Sequence, residues 1–135
     1  MANKPPLLNY RQKALIGLLR AFGGRLPGVD FQKYLFLYTQ EYERTPSFEF
    51  VPYRFGCFSF QSYADKRRLI EVGVLHDSDD WRLKEAAAQS SIDLGDDLYE
   101  RFRKKYAHMT GDRLVQEVYR RYPYLRSIAR LPGAS

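Results

Sequence analysis

The chain has one cysteine, Cys57, among 135 residues. No internal disulfide framework can form, and such sparing use suits a reducing compartment. No run approaches the ~18 apolar residues that a membrane span requires, and residues 1–6 lack the apolar stretch of a secretory signal. A soluble cytoplasmic chain with no membrane contact is expected. Also missing are a phosphate-binding glycine loop and the Cys/His spacing of a zinc site. Cys57, His76 and His108 are scattered, with no base spaced to activate the thiol. Asp77, Asp79 and Asp80 lack the central glycine and terminal glutamate of a calcium loop. The expectation is no enzyme, no cofactor and no metal, with Cys57 a small packed residue.

Aromatic side chains, by contrast, are plentiful, with 11 Tyr and 9 Phe. Such residues dominate both cores and nucleic-acid stacking surfaces, so composition alone does not separate the two uses. The hydrophobic and charged fractions, 44% and 28%, are those of a folding chain, and the length fits a single domain over residues 1–135. A formal charge of +6 favours acidic partners, either nucleic acid or an acidic protein face.

Apolar residues at helical spacing over 7–22, ended by Gly23-Gly24, predict a first helix. Asp30 is placed to cap a second, with Phe31, Tyr34, Leu35, Leu37 and Tyr38 on its stripe and its end near Glu43. The alternation Phe48-Glu49-Phe50-Val51 predicts a short strand ending at Pro52, and Gly56 marks a tight backbone passage. Ser59 caps a third helix that Gly73 closes. Val74-Leu75 and Trp81-Arg82-Leu83 flank a polar turn, as two short strands do. Residues 84–91 form either a short helix or a connection. Leu94, Leu98, Phe102 and Tyr106 line one face of a further helix. Leu114, Val118 and Tyr119 mark another over 112–121, ended by Pro123. The fold class is α+β, mostly helical, with a winged helix-turn-helix core over about residues 7–83 and basic C-terminal helices over 92–130.

Two segments carry a resemblance: Phe31-Gln32-Lys33-Tyr34-Leu35-Phe36-Leu37, and Pro52-Tyr53-Arg54-Phe55-Gly56-Cys57-Phe58-Ser59. Together they resemble the winged-helix-like modules of bacterial defence and antitoxin proteins, including the Panacea or SocA-like antitoxins, over about residues 7–83. The resemblance implies a helix-turn-helix scaffold that recognises DNA or a protein partner, with no catalytic residues inherited.

In such a scaffold the third helix reads the major groove. With Phe60, Tyr63, Ala64, Ile70 and part of Arg67 taken as its core side, Gln61, Ser62, Asp65, Lys66 and Arg68 face outward, where Gln61, Ser62, Lys66 and Arg68 are the candidate DNA contacts. The wing, with Asp77, Asp79 and Asp80, repels phosphate. Residues 98–130 hold nine Lys/Arg against three acids, a local excess equal to that of the whole chain. Arg101, Lys104, Lys105, Arg120 and Arg121 are the candidate backbone contacts there, interleaved with Tyr99, Tyr106, Tyr119, Tyr122 and Tyr124. This is either an electrostatic footprint for nucleic acid or a solvated face whose tyrosines anchor it to the core. Tyr122-Pro123-Tyr124-Leu125 is a candidate contact for a homodimer or a protein partner. The leading expectation is a module for double-stranded DNA, a bacterial transcriptional regulator or the recognition component of a phage-defence system. The alternative is an antitoxin-like or adaptor protein that holds a protein partner.

Overall fold

A computed structural model describes residues 8–88 and 96–129, with side chains through residue 126. Leu7, residues 89–91, Leu94 and Arg130 of the expectations above lie outside the described residues. Asn9 sets the start of the first helix: its side chain accepts the Gln12 N–H at 2.8 Å, and Gln12 Oε1 accepts the Asn9 N–H at 3.1 Å. Helix α1, Tyr10–Ala21, buries Leu15, Ile16, Leu18 and Leu19. Strand β1, Arg25–Leu26, then leads into helix α2, Gly28–Tyr42.

Helix α2 begins two residues before Asp30, directly after Pro27, so Asp30 is not its cap. The Asp30 carboxylate instead accepts the Gly111 N–H at 3.1 Å, tethering a later helix. Every residue from Asp30 to Thr39 is buried, so α2 is the central element and is covered on all sides.

Strands β2, Val51–Tyr53, and β3, Gly56–Phe58, form an antiparallel hairpin with Arg54-Phe55 at its turn. The expected strand therefore sits three residues later and contains Pro52, which a two-stranded ribbon tolerates because each strand has an unpaired edge. Phe48 turns into the core instead, and Phe50 packs edge-on against Phe36, centroids 5.2 Å apart. Gly56 has φ +104°, a region that suits glycine, and a Cβ there would lie 3.5 Å from the stem of Lys33.

Helix α3, Phe60–Glu71, starts at Ser59, whose hydroxyl accepts the Ser62 N–H at 3.2 Å. Strand β4, Trp81–Arg82, pairs antiparallel with β1, in the register Leu26 opposite Trp81. On its other side Leu75 bridges Leu83, and the His76 N–H donates to Arg82 O at 2.9 Å. The expected pair around the polar turn is thus present, and β1 adds a third segment that hydropathy did not mark.

Helix α4, Glu85–Ala88, precedes α5, Asp96–Tyr106, α6, Gly111–Arg121, and α7, Pro123–Ala129. Pro123 both stops α6 and opens α7, where its missing N–H is no loss. Helix α5 buries Tyr99, Phe102 and Tyr106, while Leu98, expected on that face, is 44% exposed. Phe102 sits among Phe22, Tyr34, Tyr38 and Tyr42 at centroid distances of 5.5 to 6.2 Å. The close approach depends on Gly17, where a Cβ would fall 2.5 Å from the Tyr99 ring. The chain is thus an α+β, mostly helical fold with two small antiparallel sheets. No helix among the described residues is long and apolar enough to cross a membrane.

Candidate macromolecule-binding face

Helix α3 is rotated relative to its expected phase. Its buried residues are Ser62, Asp65, Lys66 and Leu69, spaced three to four apart. Ser62 and Lys66, expected as outward DNA contacts, are therefore turned inward, and so is Asp65. Phe60, Tyr63 and Ala64, expected in the core, face solvent with Gln61, Arg67 and Arg68. The physical reason is that each inward polar group meets a partner. Gln32 Nε2 donates to Ser62 Oγ at 2.8 Å, and Gln32 Oε1 accepts the Ser59 N–H at 2.8 Å. The Ser62 hydroxyl donates to Ser59 O at 2.8 Å. Arg11 Nε donates to the Asp65 carboxylate at 2.9 Å. Lys66 Nζ donates to Ser78 O at 2.8 Å and stands 5.1 Å above the Trp81 ring. A buried polar group costs little once it is hydrogen-bonded, so hydropathy alone misorients this helix.

The outward face is aromatic. Phe60 is 69% exposed, Tyr63 43% and Phe55 42%. They are linked through half-buried Tyr53 and Phe58: Phe55 to Tyr53 at 5.6 Å, Tyr53 to Phe58 at 5.1 Å, Phe58 to Phe60 at 4.7 Å and Phe58 to Tyr63 at 6.4 Å. Arg54 lies over Phe55 at 4.9 Å. The hairpin turn and the first two turns of α3 thus present one aromatic strip flanked by Arg54, Arg67 and Arg68. Contiguous exposed aromatic surface of this kind marks interaction sites. Phe55, Phe60, Tyr63, Arg54 and Arg67 escaped the sequence reading; the spacing of Ser62, Asp65 and Leu69 was the signal that could have set the phase.

The acidic turn beside α3 is partly neutralised. Asp80 accepts from Arg25 Nε at 2.7 Å and from the Ser78 hydroxyl at 2.6 Å, and its pKa is lowered mainly by the Ser78 bond and then by Arg25. Asp77 faces Arg67 at 3.7 Å. The turn is thereby fastened to β1 and α3.

The C-terminal cations lie elsewhere. Gln32 of α2 points to α3, whereas Tyr34 and Tyr38 contact Phe102 of α5, and Glu41 contacts Lys105. At 100° per residue these positions fall about 180–240° round the helix from Gln32. Helix α1 shows the same division, with Arg11 toward α3 and Gly17 toward α5. The α3 and α5 surfaces are therefore on opposite sides of the α1–α2 pair and do not form one footprint.

Three of the five expected C-terminal contacts already hold carboxylates. Lys105 bonds Glu41 at 2.7 Å, Arg120 bonds Glu117 at 2.7 Å, and Arg121 reaches both Glu117 and Glu41. Arg120, first through its hydrogen bond, holds the Glu117 carboxyl below its usual range. Tyr106 donates to Glu41. The Glu41 contacts tie α5 and α6 to α2, whereas the Glu117 pairs lie within α6. Arg101 and Lys104 are exposed and make no ion pair among the described residues. Of the interleaved tyrosines, Tyr99, Tyr106 and Tyr119 are buried, Tyr122 is half-buried and Tyr124 is exposed. Leu125, expected at a partner contact, is buried.

Cys57 is fully buried at the hairpin, and burial pushes its thiol far above the ordinary range. Lys33 is buried nearby, donates to Val29 O at 2.8 Å, and is lowered by burial to about 8. Tyr119 closes this region, accepting the Gly56 N–H and donating to Tyr53 O, both at 3.0 Å. Among the described residues, no group of three His, Cys, Asp or Glu side chains is placed to hold a metal ion. No protein-family model, curated protein or solved structure matches this chain.

Proposed function

We propose that the chain is a winged-helix-like recognition module that binds double-stranded DNA through α3. The observation that carries this reading is the order α1, β1, α2, α3 and then the 74–83 pair, with residues 81–83 lying between β1 and residues 75–76. In that arrangement the third helix is the groove-reading element. Its free face offers Gln61, Arg67 and Arg68 for base edges and phosphates, and Phe60 and Tyr63 for thymine methyl groups. The pairs Arg67–Asp77 and Arg68–Glu71, at 3.7 and 3.5 Å, are solvent-exposed. Such pairs are worth about 0–1 kcal/mol, so either arginine can change partner at small cost. The resemblance at residues 31–37 and 52–59 supports reading the module as part of a bacterial regulator or a phage-defence system.

Mobility shift on random duplex DNA across a salt series tests this. Arg67→Glu with Arg68→Glu should abolish the shift, while Arg101→Glu with Lys104→Glu, on the opposite side, should leave it unchanged. Absence of any shift at ~50 mM salt would overturn the DNA reading. A second reading rests on the aromatic strip: Phe55, Phe60 and Tyr63 with Arg54 have the composition of protein-interface hot spots. In that case Phe60→Ala abolishes co-purification of a host protein while DNA binding is absent from the wild type.

A further inference from the structure

Two sequence segments that the DNA reading leaves unused meet in space. The 48–50 segment and Tyr124 of α7 enclose, with α2, a surface cavity of about 500 Å³. Buried Phe36 and Phe48 form its floor, half-buried Phe50 and exposed Tyr124 its walls, and Gln40 and Glu49 its rim. Glu49 is exposed and makes no ion pair among the described residues. In a chain of net charge +6 this cavity is lined by one carboxylate and by no Lys or Arg. Two other cavities, of about 420 and 350 Å³, differ in this respect. The first pairs Lys66 and Arg67 with Asp77 and Asp79, and the second pairs Arg113 and Arg120 with Asp112 and Glu117. Their charges are compensated internally, whereas that of the Glu49 cavity is not.

We propose that the Glu49 cavity binds a cationic group, an ammonium or guanidinium carried on a short apolar stem. Ring faces attract a cation through their quadrupole; of the lining rings Phe50 and Tyr124 are the accessible ones, and these two beside the unpaired Glu49 carboxylate supply both attraction and neutralisation. The volume lies within the range of small-ligand sites, and the open mouth admits either a free quaternary ammonium compound or a Lys or Arg side chain. The cavity shares no lining residue with α3.

The test is a titration of the full chain followed by NMR of the Tyr124 and Phe50 ring signals. The probes are tetramethylammonium, N-acetyl-arginine amide and N-acetyl-lysine amide, with N-acetyl-norleucine amide as the neutral control. Saturable shifts with at least one cationic probe are expected, with the neutral probe about fivefold weaker or more. Response to tetramethylammonium alone assigns a free ammonium compound, and response to the amino-acid amides assigns a partner side chain. Glu49→Gln should weaken binding about fivefold and Tyr124→Ala should abolish it, with circular dichroism of both variants matching the parent. No saturable shift below about 50 mM, equal binding of the neutral probe, or full affinity in Glu49→Gln would each overturn the proposal.

Discussion

Helices α3 and α5 flank the same central pair, yet they are built in opposite senses. Helix α5 buries Tyr99, Phe102 and Tyr106 and turns Arg101 and Lys104 to water. Helix α3 buries Ser62, Asp65 and Lys66 and turns Phe60 and Tyr63 outward. Both satisfy the same rule: apolar surface may be inside or out, but a buried polar group needs a partner. Helix α5 meets an aromatic cluster on α2, and α3 meets Gln32, Arg11 and the Ser78 carbonyl. With these polar residues inside, α3 leaves Phe60 and Tyr63 on its free face, the surface proposed for a macromolecule.

The sharpest way to break this contrast is to delete a phenyl ring from each helix. Phe102→Ala should cost about 3–5 kcal/mol, as large core truncations do, whereas Phe60→Ala should change stability by less than about 0.5 kcal/mol. Denaturant unfolding of both variants reads this, and equal losses would refute the assigned orientations. Next in size is Gln32→Leu, which orphans the buried Ser59 N–H and one bond of the Ser62 hydroxyl. A loss of about 2 kcal/mol is expected, and a neutral result would mean that the polar contact is not what orients α3.

The smallest effect concerns pH. The folded-state pKa of Lys33 is depressed from 10.5 to about 8, so in that window the unfolded chain holds a proton that the folded chain has released. Stability should rise as pH climbs from about 8 toward 10, by on the order of 1 kcal/mol after allowance for solvent screening. Burial lowers Lys66 in the same direction, so it adds to the rise. Lys33→Met should raise stability at pH 7 and flatten most of the slope between pH 7 and 9.5 in thermal unfolding. The phenols of Tyr34 and Tyr53, raised to about 12 by burial, remain protonated throughout that range. An unchanged slope would place the titration on another group.

Element positions were largely legible because they rest on local chemistry. Ser59 ahead of a helical run, Gly73 after it and the polar turn before Trp81 each act within a few residues. The candidate site was less legible. Gln61 and Arg68 were read correctly as outward, while Ser62 and Lys66 were not, because their partners Gln32 and Ser78 lie 30 and 12 residues away. The hairpin at Arg54-Phe55 was missed because Pro52 reads as a strand terminator.

The sequence by itself determined the positions of α1, α2, α3, α5 and α6 and that the net positive charge concentrates after residue 98, since composition, capping residues and periodicity act locally or in sum. Only the tertiary structure decided which face of α3 is free, that Lys105 and Arg121 meet Glu41, and that the α3 and α5 surfaces oppose each other across α1 and α2. Hydrogen bonds and ion pairs between distant residues set these outcomes, and their energies depend on which groups meet in space rather than on the order in which the chain presents them.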